Sequence, residues 1–241
     1  LERNGFAGET DQAEILFLAI YTRHFDGIVS VVVDGPSSGG KSHLVKSVLQ
    51  FVPESAYVGR SGLSEKALIH GGGDIRHKFL VIYEMAGMQG EAGMKFLRTL
   101  LSEGHIRYEY TVPRAEGDFT TQVVERPGPT GVILTTTKTK LHPEDETRLL
   151  KITVNDTPDQ IRKVLAMQAI DHGMPAKVVE DWVAFGKWIA AGSHDVVIPY
   201  AEVLASMVWP VSHRIKRDYR KVLSLIAASA LIHQQTRDRD E

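Results

Sequence analysis

Apolar residues along this chain follow two periodicities, and the second takes over near residue 158. Ile28 to Val33 is a nearly continuous β-branched run, which is how a strand buried on both faces of a parallel sheet reads. Phe79 to Tyr83 and Gly131 to Thr136 are shorter apolar runs, predicted as central strands of the same sheet. Ile106, Tyr108, Tyr110 and Val112 alternate with Arg107, Glu109 and Thr111, and a second stretch runs from Phe119 to Glu125. Together these predict a hairpin with Pro113 to Asp118 at its tip. Helical spacing marks Asp11 to Phe25 through Ile15, Leu18, Ala19 and Tyr21, with Asp26-Gly27 as its end. It also marks Lys41 to Val52, which stops before Pro53, and a segment around Gly93 to Glu103.

Beyond Pro158 helical patterning prevails, near Asp159 to Asp171, Ala176 to Ala191, Tyr200 to Met207 and Ser212 to Gln235, with Gly173, Gly192 and Pro210 between them. In the last of these, Ile215, Tyr219, Val222, Ile226 and Ala230 share one face, while Arg214, Arg217 and Lys221 share another. There is no internal repeat or low-complexity tract.

Composition narrows the picture. With 241 residues, 43% of them hydrophobic, the chain can bury the core of one large or two small domains. Its 28 basic and 30 acidic residues leave a formal charge of −2, so any nucleic-acid contact must come from a local patch. The absence of cysteine excludes disulfides and thiolate metal sites and fits a cytoplasmic setting. The ten histidines show no HxxxH spacing. No apolar run approaches the roughly 18 to 20 residues that cross a bilayer, and the N-terminal segment lacks a signal-peptide pattern. Because the chain begins at Leu1 and ends in the charged Arg237 to Glu241, a piece of a longer protein is expected, although a processed chain would look the same.

The strongest chemical signal is Gly35-Pro36-Ser37-Ser38-Gly39-Gly40-Lys41-Ser42, placed between a strand and a helix. The pattern GxxxxGK[ST] wraps backbone N–H groups around a polyphosphate, sends a lysine to the outer phosphates and offers a hydroxyl to the metal. ATP with Mg2+ is the expected ligand, with Gly35 and Gly40 supplying turns, Lys41 the cation and Ser42 the metal ligand. A rival reading remains: Gly35 to Gly39 fits the GxSxG nucleophile elbow of serine hydrolases, with Ser37 attacking and His213 or His233 as base. It leaves Gly40-Lys41-Ser42 unexplained.

A P-loop enzyme that hydrolyses its nucleotide also needs a carboxylate to activate water, usually at the end of a neighbouring strand, and Glu84 stands there. Tyr83 precedes it where many such enzymes place a magnesium-holding aspartate, so that either hydrolysis is slow or Asp34 or another group substitutes. The run Thr135-Thr136-Thr137 either offers a hydroxyl to the γ-phosphate or water, or serves strand propensity alone. Arg148, just before Leu149 to Val154, either enters a neighbour's site to stabilise a transferring phosphoryl group or forms a surface salt bridge. The basic stripe of the last helix is either solvated or delivers a cation to the nucleotide.

In that order these residues resemble the AAA+ family, and within it helicases related to minichromosome maintenance proteins, including versions in phages and mobile elements. By that resemblance Gly35 to Ser42 is similar to Walker A and Phe79 to Glu84 to Walker B, with Tyr83 in place of the usual aspartate. Thr137 lies where the family commonly has its sensor 1 asparagine. Arg148 is similar to the arginine finger, and Arg217 to a sensor 2 arginine, with Arg214 as the alternative. The Ile106 to Glu125 hairpin is similar to one such helicases point into a central channel, where Arg114 would meet DNA phosphates.

The resemblance implies an α/β fold: a P-loop NTPase core of the AAA+ type, a parallel sheet flanked by helices over residues 1–155, and a helical lid over 156–241. It implies a homo-oligomeric ring, hexameric by expectation, that hydrolyses ATP and moves along DNA, single-stranded by expectation. Lys41, Glu84, Thr137, Arg148 and Arg217 are the expected catalytic set. The alternatives are a slow or non-hydrolysing nucleotide switch, a protein-remodelling AAA+ ATPase and, remotely, the serine hydrolase.

Overall fold

The computed structural model describes residues 7–60, 73–84, 91–113, 119–137, 143–169 and 176–237. Helix α1 (Thr10–Tyr21) leads into strand β1 (Val31–Asp34), helix α2 (Lys41–Leu49), strand β2 (Tyr57–Arg60) and strand β3 (Lys78–Ile82). Helix α3 (Glu91–Glu103), the hairpin β4 (Ile106–Pro113) and β5 (Phe119–Arg126), strand β6 (Thr130–Thr136), the short helix α4 (Pro143–Glu146) and strand β7 (Leu150–Thr153) follow. Helices α5 (Pro158–Ala169), α6 (Ala176–Ala191), α7 (Ala201–Met207) and α8 (Ile215–Ile232) complete the chain.

Five strands form one sheet in the order β2-β3-β6-β1-β7, and each pairing is parallel. The chain leaves β1 to build on one side of it and returns to set β7 on the other. The loop after β1 therefore lies at a topological switch point, where ligands of open α/β sheets bind. The apolar runs read as buried strands because alternate residues serve opposite faces. Val31, Val33, Phe79, Val81 and Ile133 pack with residues of α1 and α2, whereas Val32, Leu80, Ile82, Val132 and Leu134 pack with Leu97 and Leu100 of α3 and Ile106 of the hairpin. The hairpin forms its own two-stranded sheet, with Ile106 opposite Arg126 and Pro113 opposite Phe119.

The structure adjusts the predicted elements in three places. The first helix ends at Tyr21 because the Thr22 hydroxyl donates to the Ala19 carbonyl (2.6 Å) and accepts from the Val29 amide (2.9 Å), turning the chain toward β1. Strand β2 was not expected from Tyr57-Val58-Gly59-Arg60. It is an edge strand, held by its pairing with Phe79 to Ile82.

The buried face of α8 also differs: Ala227, Ala228 and Leu231 are its buried residues, while Val222 is 47% exposed. Only the second half of this helix meets α1, and its small alanines permit the close approach. Helix α6 packs there too, through Phe185 and Ile189, and Trp182 sets its ring edge against Phe17 (5.5 Å) and Phe51 (6.3 Å). Helix α5 has no buried residue. Among the described residues no helix is long and apolar enough to cross a membrane.

Candidate functional site

The loop after β1 owes its shape to two glycines with different duties. A Cβ on Gly35 would fall 2.3 Å from Val154 Cγ2, so only glycine lets the chain leave the sheet beneath that side chain. Gly40 sits at φ 85°, a left-handed conformation that costs other residues energy, and opens α2. A Cβ there would meet nothing within 4 Å. Between them the Gly39 amide donates to the Pro36 carbonyl (3.1 Å), closing a tight turn. Lys41 is 7% exposed, and its ammonium donates to the carbonyls of Gly35 (3.1 Å) and Pro36 (2.5 Å). The partial positive charge of the α2 N-terminus faces the same loop.

A cavity of about 640 Å³ opens over this loop, within the range of sites for nucleotide-sized ligands. Ser37 to Gly40 and His43 form one wall; Ala7 and Glu9, ahead of α1, form another. Asn155 and Asp156 with Gln160, Ile161 and Val164 of α5 close the third. Two contacts clasp these walls: Glu9 Oε1 accepts from the Asn155 amide, and Gln160 Nε2 donates to the Ala7 carbonyl (2.7 Å). Burial pushes the Glu9 carboxyl above its ordinary range, against the pull of that amide. Ser37 faces this cavity, whereas His213 and His233 do not line it. The His233 ring contacts the Ser229 carbonyl in its own helix (2.8 Å).

Glu84 lies at the carboxyl end of β3 with an exposed side chain and φ 58°, an uncommon backbone for glutamate. Its amide donates to Thr135 Oγ1 (2.9 Å), a buried hydroxyl on the neighbouring strand. Thr137, two residues on and exposed, follows the last residue of β6 at the loop's end of the sheet. The sequence reading singled out Thr137 of the three threonines, whereas the structure brings Thr135 to Glu84.

Tyr83 is half-buried against the core, with the Lys46 ammonium 5.6 Å above its ring centroid. Burial pushes its phenol pKa up, and Tyr57 adds to the rise. The Asp34 carboxylate is engaged elsewhere, accepting from Thr153 Oγ1 (2.7 Å) and pairing with Lys151 Nζ (3.1 Å). Among the described residues there is no group of three His, Cys, Asp or Glu arranged to hold a metal ion. Ser42 follows Lys41 in the first turn of α2, beside this loop.

Arg148 and Arg217 lie elsewhere. Leu150 pairs with Val31 and Thr153 with Asp34, so Arg148, ahead of β7, sits at the amino edge of the sheet. The loop leaves from the carboxyl edge, about 13 Å away along the four residues of β1. The Arg148 guanidinium donates to Ser102 Oγ (2.8 Å), the Glu144 carbonyl (2.8 Å) and Glu144 Oε1 (2.9 Å). Arg217 donates to Thr147 Oγ1 (2.7 Å), beside it. With Arg220 and Lys221 they line a cleft of about 380 Å³. Arg214, the alternative to Arg217, pairs with Asp218 (2.8 Å). Arg114 lies outside the described residues.

Comparison with known proteins places this geometry among relatives. The sequence pattern described as MTBMA_p00010 P-loop domain matches residues 5–172. No curated protein matches the chain. The crystal structure of an ATPase candidate from Cytophaga hutchinsonii is similar at 13% identity and a TM-score of 0.56, covering 95% of this chain and 76% of that one. NtrX from Brucella abortus in complex with ADP is similar at 13% identity and 0.43, covering 98% of this chain and 52% of its own, so this chain spans about half of NtrX. A magnesium chelatase complex of subunits BchI and BchD is similar at 16% identity and 0.45, covering 97% and 98%. The shared architecture is the AAA+ type of P-loop fold, a parallel sheet core flanked by helices with a helical C-terminal region.

Proposed function

We propose that this chain, which belongs to the MTBMA_p00010 P-loop domain family, binds ATP with magnesium over the loop 35–42 and hydrolyses it as a subunit of a ring-shaped DNA motor. The observation that carries the reading is the division of the expected site residues across the sheet. Lys41, Ser42, Glu84 and Thr137 lie at the carboxyl edge, while Arg148 and Arg217 lie at the amino edge. A second copy that brings its amino edge to the cavity completes the set, which is why a homo-oligomer is part of the reading.

In this scheme residues 1–155 are the core and 156–241 the lid, with α5 the helix that closes on the nucleotide. Lys41 holds the outer phosphates, and Glu84 takes the proton of the attacking water. Thr137 orients that water. Magnesium, when bound, neutralises phosphate charge and would be held by Ser42. Arg148 exchanges the carboxylate of Glu144 for the more highly charged phosphate of the next subunit. Arg217 follows it into the same site. The β4–β5 hairpin, standing apart from the main sheet, supports the DNA part: Arg114 at its tip would track backbone phosphates in a channel.

Steady-state ATP hydrolysis across a protein concentration series, with and without single-stranded DNA, tests the reading. Turnover should rise with concentration and with DNA and be lost in Lys41→Ala and Arg148→Ala. Turnover that is independent of concentration and survives Arg148→Ala would refute the shared site. A slow nucleotide switch is the second reading, favoured by Tyr83 and the Lys46 ammonium where a carboxylate would assist the metal. A switch loses little turnover in Glu84→Gln, whereas the motor loses nearly all.

A further inference from the structure

The turn 147–149 carries Arg148 out of the short helix α4 and into β7. Its two flanking carbonyls, those of Thr147 and Leu149, both accept from one group, the Lys221 ammonium, at 3.0 and 3.1 Å. The third N–H of that ammonium goes to Asp218 Oδ1 (3.1 Å), so all three donors are used. The Lys221 side chain is only 13% exposed, and the other oxygen of Asp218 accepts from Arg214 Nε (2.8 Å). Bridging the carbonyls of the residues before and after Arg148 restrains the turn between them, and so restrains the direction in which its side chain leaves the chain. A solvated stripe of basic residues on α8 would not be buried, bridged and fully paired in this way.

We propose that Lys221 is a positioning residue for Arg148: it fixes the turn 147–149 to α8, so that one subunit's last helix sets the aim of the arginine serving the next subunit's site. The inference rests on the proposed role of Arg148 between subunits. It also couples two parts of the molecule, because the far half of α8 packs on α1 beside α6. Movement of the C-terminal helices against the core changes how Arg148 is presented to the neighbour, with no change needed in the subunit's own loop.

Mixed assemblies of the full chain test this. Wild-type subunits are diluted into an excess of carrier subunits bearing Lys41→Ala, which contribute to turnover only through the edge they present to a wild-type neighbour. Adding Lys221→Met to the carriers should lower kcat per wild-type subunit at least fivefold, leave KM for ATP unchanged and leave assembly by sedimentation unchanged. Lys221→Arg carriers, which keep a charged donor, should restore part of the loss. Carriers with Lys221→Met that sustain full turnover, while carriers with Arg148→Ala do not, overturn the inference and leave the intersubunit role standing. Carriers with Arg148→Ala that sustain full turnover overturn the intersubunit role and the inference with it. Carriers with Lys221→Met that fail to assemble place Lys221 in subunit contact instead, and overturn positioning.

Discussion

Replacing Thr135 with valine removes one hydroxyl from a buried position while keeping the branched shape. Its consequence should appear at Glu84. In the structure that hydroxyl accepts the Glu84 amide at 2.9 Å, and Glu84 holds φ 58°. A left-handed backbone costs a non-glycine residue roughly 1–2 kcal/mol, and one hydrogen bond contributes about 1 kcal/mol net. The bond therefore offsets much of the strain. Without it, this backbone conformer of Glu84 loses about 1 kcal/mol, which is roughly a fivefold fall in its population. We expect kcat for ATP to drop about fivefold in Thr135→Val, with KM nearly unchanged because Lys41 and its loop are untouched. Thr135→Ser, which retains the acceptor, should keep most of the rate. Steady-state hydrolysis with a parallel nucleotide-binding titration makes the measurement. If Thr135→Val keeps full kcat while Glu84→Gln loses it, Thr135 does not aim Glu84 and the reasoning fails.

Tyr83→Asp should lower the magnesium concentration for half-maximal turnover and raise turnover about tenfold, the order by which partners of a metal site usually act; a magnesium titration that matches wild type would refute it. His24, stacked on His194 at 4.2 Å, has its pKa pushed down to about 3 by burial and by Arg23, His194 and His77. It stays neutral in the fold but protonates below about 6.5 when unfolded, so stability is intact above that pH and falls toward pH 3, by at most about 1.4 kcal/mol per unit. Urea unfolding between pH 7 and 4.5 should show that slope, and His24→Phe should flatten it. Gly131→Ala would set a Cβ 2.4 Å from Phe79 Cε1 and 2.6 Å from Ile28 Cγ2 in the centre of the sheet. Overpacking of that kind should lower the melting temperature by roughly 3–10 °C, measured by thermal denaturation.

What could be read from the sequence was whatever is local. The β-branched run before Gly35, the GxxxxGKS pattern and the alternation after Ile106 each announce an element through neighbours a few residues away, and each element formed, although β1 begins only at Val31 and α2 ends at Leu49. Strand β2 escaped because its pairing, and not its own composition, makes it a strand. Contacts made at long range escaped as well: Asp34 with Thr153 and Lys151, Glu9 with Asn155, and Lys221 with the carbonyls around Arg148. None of these pairs has a spacing that periodicity can detect. The arginines make the point most sharply, because the residue type at 148 was legible while its location was not. In a parallel sheet every strand runs the same way, so a residue just before β7 must fall at the edge opposite to a loop just after β1. An arginine in that place stands away from its own loop by topology alone, and on the proposed reading it is a neighbouring copy that receives its charge.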